Sequence, residues 1–388
     1  MTYSTGFWTY RRTGSPTLPP PPSVYNHPAT MPVIDYIIYV ADASGTIVGE
    51  MAGALESVAW ASDGYGMATL ILPLSAALAY GPLLEFGNQV LIEFSGGLPL
   101  WGGVIDVPRE TTLGRMRIQM YEAGYLMTTR LTAAQAVYLG SEARPAALIL
   151  ADLVQEAGWD VGIEIVTREE AAPVEVEFHY DTLAQAAEQL RGLDATLHYF
   201  LRPRPAAGGR VGFDLVIFRD MLDDATARAV LIQGHNLVGW SVLEQGPIYN
   251  EVLVGVGDFL NPAALDGIGD GYSELYTAVD AASQRRYGRR FAPLLTLADV
   301  EGESGPGRAR AAALAKLAAH SKPRLRVRGA ALNMTPGLYR EYGVGSRVRI
   351  EASTPMATSE ELTVIGMSYQ PGTGTLSLVF DDGGSIEG

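Results

Sequence analysis

Side chains that commonly carry out catalysis are few in this sequence and stand far apart. No cysteine is present, so thiolate zinc sites and disulfide bonds are excluded. The H-E-x-x-H, G-x-S-x-G and Walker motifs are also missing. None of the five histidines has another at a spacing suited to metal binding: His27, His179, His198, His235 and His320. We therefore predict no catalytic residue, no metal site, no cofactor and no enzymatic activity.

Two acidic stretches are candidates for acid/base chemistry or cation binding. Glu169 and Glu170 are adjacent, and adjacent residues on a strand point to opposite faces, so they do not predict a shared site. The loop at 266–271, DGIGDG, lacks the closing glutamate of an EF-hand and the helix that follows a dinucleotide-binding loop. We interpret this loop as a turn, with weak cation binding as the alternative.

One dense basic cluster contrasts with the acidic balance of the chain. It consists of Arg285, Arg286, Arg289 and Arg290, whereas the formal net charge is −15. An acidic protein repels nucleic acid, so the cluster favours salt bridges between subunits or a solvated face over phosphate contact. The acidic balance itself has two interpretations: solubility, or a surface along which DNA slides without sticking.

The elements that would position these residues belong to a globular chain. Its 388 residues and 47% apolar content predict two to four packed domains. The N-terminal residues contain no apolar core of a secretory signal. No apolar run approaches the ~18 residues of a membrane span, so we expect no membrane anchor.

Residues 1–33 are predicted to form an extended arm. The stretch SPTLPPPPSVYNHP is too rich in proline for a helix or a central strand. Tyr3, Phe7, Trp8 and Tyr10 precede it and cannot be buried within so short a segment. The arm is either a disordered tail or a strap that docks on a neighbouring subunit.

The rest of the chain predicts a mixed, mainly β fold. Short alternating strands with glycine turns favour a first small antiparallel β-barrel at 34–132 and a second at 236–388. The second contains an inserted loop and helical segment at about 258–322. Residues 133–235 predict a small α/β domain with two helices, one between Pro145 and Gly158 and one capped by Asp181.

A repeated strand pattern supports two copies of one barrel. FGNQVLIEF at 86–94 and VGSRVRIE at 344–351 each begin with a chain reversal and continue with period-two alternation. Later strands follow in both copies, and 14 residues separate Val104 from Ile118 as they separate Val364 from Leu378. The alternative is that any two hairpins look alike. Three subunits with two barrels each would present six similar units to a six-fold ring.

Three stretches of the sequence resemble the baseplate hub, or tail-tip hub, proteins of tailed bacteriophages and related contractile injection systems. PIYNEVLVG at 247–255 resembles one strand of that family, and DAASQRRYG at 280–288 resembles its D-x-x-S-x-x-x-Y-G segment. GVGSRVRIE at 343–351 resembles its late G-x-x-V-x-I strand. None of these motifs is specific alone, and the resemblance depends on their order over roughly residues 34–380.

The resemblance implies a structural virion protein at the tail tip. It implies a homotrimer that forms a pseudo-six-fold ring and lines the DNA channel. The tail tube or distal tail protein would lie above the ring, and tip, spike or fibre proteins below it. DNA would be only passing cargo, and the location would be the virion baseplate.

Candidate interface residues follow from these expectations. We predict subunit contacts by the polar faces of the two barrels, around Arg117 and Arg349, and by Phe7, Trp8 and Tyr10 of the arm. One alternative function is a carbohydrate-binding or receptor-binding module of a surface or tail protein. Its candidate stacking residues would be Trp60, Trp101 and Trp240. A cell-wall hydrolase is the weakest alternative, because no nucleophile or metal constellation is recognisable.

Overall fold

A computed structural model describes the chain between residues 34 and 381, apart from a set of gaps. These gaps are 96–97, 107–108, 167–170, 195, 220–228, 246–247, 257–273, 293–294, 298–309, 311–312, 315, 318–320, 322–323, 333–342 and 354–357. The N-terminal arm, the Glu169–Glu170 pair and the 266–271 loop lie outside the described residues. Over the described ranges, no helix is both long and apolar enough to cross a membrane.

Most strands belong to one 14-stranded sheet that contains both predicted β parts. From the first part come β1 (Tyr36–Ala41), β2 (Ile47–Met51), β3 (Ala54–Ala61), β4 (Met67–Pro73), β5 (Gln89–Phe94), β6 (Trp101–Val104), β7 (Glu110–Thr112) and β8 (Arg115–Glu122). From the later part come β14 (Ala229–Ile232), β15 (Leu237–Gln245), β19 (Arg324–Leu332), β20 (Arg347–Ala352), β21 (Thr358–Gln370) and β22 (Thr375–Asp381). The helix α1 (Leu74–Ala79) follows β4.

The long strand β21 joins the two parts. It pairs antiparallel with β20 and β22 of its own part and with β3 of the first part. Gly366 lies opposite Ala61, and Tyr369 lies opposite Val58. Because β21 has 13 residues, it is long enough to pair with β20 at one end and with β3 at the other.

Each copy of the repeated strand pattern folds into a three-stranded meander. β5, β6 and β8 pair in that order, and β20, β21 and β22 pair likewise. Each meander begins with a glycine in the left-handed region, since both Gly87 and Gly345 have φ of 87°. A residue with a side chain is strained at such a φ, which explains why glycine starts both copies.

The hydrogen bonds of the two meanders also correspond, but with an offset that the sequence comparison missed. The Gly87 N–H donates to Ile105 O at 2.8 Å, and the Gly345 N–H donates to Val364 O at 2.7 Å. Val364 is therefore equivalent to Ile105 rather than to Val104. β21 has a register shift, a β-bulge or similar irregularity, between Val364 and Gly366. It lies within the interval from Val364 to Leu378, which is 14 residues, against 13 from Ile105 to Ile118.

One hydrophobic core spans both β parts. It contains buried residues from 34–120 and from 229–380. The Phe94 ring lies 5.9 Å from the Trp60 ring and 6.3 Å from the Tyr369 ring, so one side chain of the first part touches an aromatic residue of each part. The two parts therefore bury their apolar faces together, which is the main favourable term in folding.

The middle of the chain forms an α/β part with its own core. Its elements are β9 (Ala136–Tyr138), α2 (Ala146–Glu156), β10 (Gly162–Val166), β11 (Val176–Phe178), α3 (Leu183–Leu193), β12 (Leu197–Ala207) and β13 (Arg210–Arg219). The sheet order is β10-β13-β12, with β9 and β11 paired separately. A 3-10 helix, Ala123–Thr129, connects β8 to this part, and shorter ones cover Gly81–Leu84 and Gly140–Glu142.

The N-cap of α3 differs from the prediction. Thr182, not Asp181, caps the helix: its hydroxyl accepts the Gln185 N–H, and the Gln185 side chain accepts the Thr182 N–H at 2.9 Å. This reciprocal capping box satisfies two terminal donors at once, which a lone aspartate does not. Asp181 instead accepts the His179 N–H at 3.1 Å.

A small sheet follows the second part's first strands. It contains β16 (Glu251–Val256), β17 (Glu274–Val279) and β18 (Leu295–Leu297), with α4 (Ala281–Tyr287) after β17.

The prediction of a mixed, mainly β fold is thus confirmed. In the described residues the strand pairings close neither β part into a barrel. The division at 132, 235 and 258–322 stays a prediction.

Candidate functional site

The turn at 61–66 connects the three described parts of the chain. Ser62 donates its N–H to Ile365 O of the second β part at 2.9 Å. The next residue, Asp63, donates its N–H to Tyr199 O of the α/β part at 2.8 Å. The sequence predicts a hairpin loop here. In the structure this loop of the first β part contacts both the second β part and the α/β part.

Asp63 is the main electrostatic contact of this junction. Its backbone is left-handed, with φ of 61°, a conformation that aspartate tolerates better than most residues. Its Oδ1 accepts the Tyr199 N–H at 3.1 Å, and its Oδ2 lies 2.7 Å from His198 Nδ1 and 3.2 Å from an Arg191 nitrogen. His198 is 3% exposed and stacks on Phe218.

Glu122 holds the same turn from the other side. Its Oε2 accepts the N–H of Gly66 at 2.7 Å and that of Ala61 at 3.0 Å. Burial raises the pKa of the Glu122 carboxyl to about 8, against the lowering effect of these two hydrogen bonds. The carboxyl is therefore largely protonated at neutral pH. Its two hydrogen bonds join the two ends of the turn.

Sequence reasoning missed Glu122 although a signal was present. Met116, Ile118 and Met120 alternate along β8, and Glu122 continues their register. Period-two alternation puts all four residues on one face, so an acidic residue at the core positions of a strand predicts a buried carboxyl with partners.

A cavity of about 560 Å³ opens beside the junction. Trp60 and Glu122 line it from the first β part, Phe200 and Arg202 from the α/β part, and Val344 from the second β part. Most of the lining is apolar, and Arg202 pairs with Glu164. The geometry suits the packing of an apolar group from another chain and offers no nucleophile paired with a base.

The predicted interface residues that the structure describes lie on two strands of the large sheet. Arg117 on β8 is half-exposed and pairs with Glu56, with a nitrogen–oxygen distance of 2.8 Å. Arg349 on β20 is half-exposed and pairs with Glu351 at 3.2 Å. Phe7, Trp8 and Tyr10 lie outside the described residues. The interface role of all five stays a prediction.

Residues of two of the three stretches that resemble the family contact each other around the buried Asn250. Asn250 is fully buried, its Nδ2 donates to Gly288 O at 2.7 Å, and its Oδ1 accepts the Arg290 N–H at 2.8 Å. Asp280 caps α4 by accepting the N–H of Ser283 at 2.9 Å. The motif therefore has a structural cause: it fixes α4 against the start of β16.

The basic cluster contains an ion pair within the chain. Arg289 pairs with Glu251, and its Nη2 donates a hydrogen bond to Glu251 Oε1 at 2.6 Å. This contact lowers the pKa of Glu251, and the hydrogen bond to Arg289 is the largest cause. No group of three or more histidine, aspartate or glutamate side chains among the described residues could hold a metal ion.

Comparison of the sequence with protein-family models and with curated proteins gives no match. Comparison of the structure gives clear similarities. A tail protein from Neisseria meningitidis MC58 aligns with a TM-score of 0.56 and 12% identity, over 90% of this chain and 97% of that one. The 43 kDa tail protein of prophage MuSo2 from Shewanella oneidensis aligns with a TM-score of 0.53 and 12% identity, over 90% and 98%.

Prophage tail protein gp18 from Listeria monocytogenes EGD-e aligns in the same way, with a TM-score of 0.52 and 12% identity, over 90% of this chain and 95% of that one. All three similarities cover nearly the full length of both chains. The chain therefore has the fold of prophage tail proteins, and the resemblance found in the sequence is confirmed at the level of the fold.

Proposed function

We propose that this chain is a structural protein of a phage-type tail, located in the baseplate at the tail tip of a virion. The observation that carries the proposal is the fold, which aligns with three tail proteins, two of them from prophages, over nine-tenths of the chain. A fold can host several functions, so the site matters as well. The described site is a junction in which hydrogen bonds and ion pairs join three parts of the chain, which suits a structural role.

The finer proposal is a tail-tip hub that assembles as a homotrimer. The doubled meander supports it, because three copies of a chain with two similar units present six units around one axis. Such a ring would join the tail tube or distal tail protein to tip, spike or fibre proteins. DNA would pass through it as cargo, consistent with the net charge of −15.

The native mass of the purified full chain tests the trimer. We expect a species of three times 41.5 kDa across a range of protein concentrations, and averaged electron micrographs of a hollow ring with six outer lobes. A ring that also forms on isolated tail tubes would identify the partner above. A chain that stays monomeric alone and with tail tubes would contradict the hub.

Charge reversal tests the predicted interface. Arg117→Glu and Arg349→Glu should shift the trimer towards monomer, because each places an acidic group where the proposal needs a cation. Arg144→Glu is the matched control, because Arg144 is a half-exposed arginine of the α/β part that pairs with Asp152. Each change removes at most a surface ion pair, so melting temperatures should stay close to that of the unchanged chain. A trimer unaffected by both substitutions would locate the interface elsewhere.

The carbohydrate-binding alternative finds little support in the tryptophans predicted for it. Trp101 is fully buried and donates Nε1–H to Ala59 O at 2.8 Å. Trp60 is 5% exposed and donates Nε1–H to Leu100 O at 3.0 Å. Neither ring offers a face for a sugar, and Trp240 is partly buried.

A further inference from the structure

A second cavity, of about 530 Å³, has a different chemical character. It lies between the β1–β2 turn, the end of the 3-10 helix at 123–129, the turn after α2 and the β12–β13 hairpin. Three arginines line it: Arg130, Arg204 and Arg210. We call it the arginine cleft. Its only lining carboxylate among the described residues is that of Asp160.

The cleft is richer in cations than the chain as a whole. Three guanidinium groups and one carboxylate line it, whereas the whole chain carries −15. Asp214 pairs with Arg204, and Arg210 helps to lower the pKa of Asp42, so Arg130 is the lining arginine without a carboxylate partner among the described residues. A concave site with one sign of charge focuses the electrostatic field and concentrates ions of the opposite sign. Such a cleft therefore attracts an anion even though the protein as a whole repels one.

Arg130 is the group most in need of a counter-charge. Its guanidinium lies 4.3 Å from the centre of the Trp159 ring and donates one hydrogen bond, at 3.2 Å, to Leu126 O. Burial lowers the pKa of Arg130. Within the described part of the chain it forms no ion pair. A partly buried guanidinium has five N–H donors in a fixed fork, and a carboxylate or phosphate satisfies two of them at once.

The other two arginines are held in place by the backbone. Arg210 donates to Ser44 O at 3.2 Å, and no ion pair to it occurs among the described residues. Arg204 donates to Phe213 O at 3.0 Å and pairs with Asp214 at 3.3 Å. These contacts reduce the freedom that each side chain would lose when it binds a ligand.

We propose that the arginine cleft binds an oxyanion, a carboxylate or a phosphate, that is carried by a polar ligand. The cavity is much larger than the anion alone, so the anion enters as part of a larger molecule. Arg130 makes the principal contact, with Arg210 beside it and the Trp159 ring behind the Arg130 guanidinium. This site is independent of the trimer and of the tail-tip role.

Calorimetric titration of the purified full chain at constant ionic strength tests the proposal, with glucuronate, glucose and inorganic phosphate as probes. We expect saturable binding of glucuronate and none of glucose, which has the same ring without the carboxylate. Phosphate that competes with glucuronate would show that the oxyanion alone is recognised. Phosphate that does not compete would show that the cleft selects the carboxylate. Glucose that binds as well as glucuronate would overturn the proposal.

Substitutions assign the binding to the cleft. Arg130→Gln and Arg210→Gln should each weaken glucuronate binding about tenfold or more, because each removes a charge-assisted hydrogen bond. Arg115→Gln, on the exposed end of β8, removes the same charge away from the cleft and should leave binding unchanged. Equal loss in all three variants would mean non-specific ion attraction, and unchanged binding in Arg130→Gln would refute the assignment. Melting temperatures confirm that each variant is folded.

Discussion

Glu122 makes the stability of this protein depend on pH in an unusual direction. The pKa of its buried carboxyl is about 8, against an ordinary value of 4.5. Between these values the folded state keeps a proton that the unfolded state releases. The free energy of unfolding therefore falls as pH rises through this window, and the contribution of the protonated carboxyl is fully present only below pH 4.5.

The size of the effect follows from the shift. The difference between about 8 and 4.5 corresponds to about 4–5 kcal/mol when the window is crossed completely. About 3 kcal/mol of this is lost between the lower end of the window and neutral pH. Glutamine has the same shape and keeps an oxygen for the N–H groups of Ala61 and Gly66, but it does not ionise. We therefore expect Glu122→Gln to flatten this part of the profile.

Urea unfolding at a series of pH values between 5 and 8.5, followed by tryptophan fluorescence, measures the effect. Glu122→Gln should match the unchanged chain near the acid end and exceed it in stability near the basic end. Glu93→Gln removes an exposed carboxylate from β5 and serves as the control for lost charge. Parallel profiles for the unchanged chain and Glu122→Gln would refute the reasoning, because the carboxyl would then be ionised in the folded state.

Three further substitutions test separate parts of the fold by urea unfolding. Asp63→Ala should cost about 2–4 kcal/mol, because it leaves buried His198 and Arg191 without their carboxylate, and Asp63→Asn should recover only the backbone contacts. Thr182→Ala should cost about 1 kcal/mol through the lost cap of α3, and Thr182→Ser should restore it. Gly87→Ala should cost about 1–2 kcal/mol through backbone strain alone, since φ is 87° and a Cβ would meet nothing within 4 Å. Gly81→Ala, where a Cβ also meets nothing, should be close to neutral, and equal losses at both glycines would contradict the strain argument.

The three described parts of the chain are mechanically coupled. Ser62, Asp63 and Glu122 bond one short turn to the second β part, the α/β part and the first β part. A force that moved one part would strain the hydrogen bonds of the other two, so the three described parts resist separate movement.

Local chemistry is what the sequence alone predicted well. The alternation in 86–94 and 344–351 predicts strands, and both occur, each after a glycine at φ of 87°. The apolar stripe of α3 and the start of α2 at Pro145 also follow from spacing within a few residues. Such features depend on residues close in sequence, and period-two and helical patterns report on them directly.

Long-range contacts were decided only by the tertiary structure. The pairing of β21 with β3 brings together residues about 300 positions apart, and nothing in either strand's own pattern names its partner. For this reason the sequence predicted two separate barrels where one continuous sheet and one core run through both parts. The irregularity between Val364 and Gly366 also changes the phase of β21, in which residues 362 and 364 are buried before it and residues 367 and 369 after it.

The junction shows the same division between sequence and structure. His198 and its partner Asp63 are 135 residues apart, and nothing in either local pattern indicates that they meet. Glu122 was recognisable in principle, because it continues the apolar register of β8. Its raised pKa, however, depends on how completely the neighbouring strands exclude water from it. Burial of that kind is a property of the packed molecule, and only the assembled fold determines it.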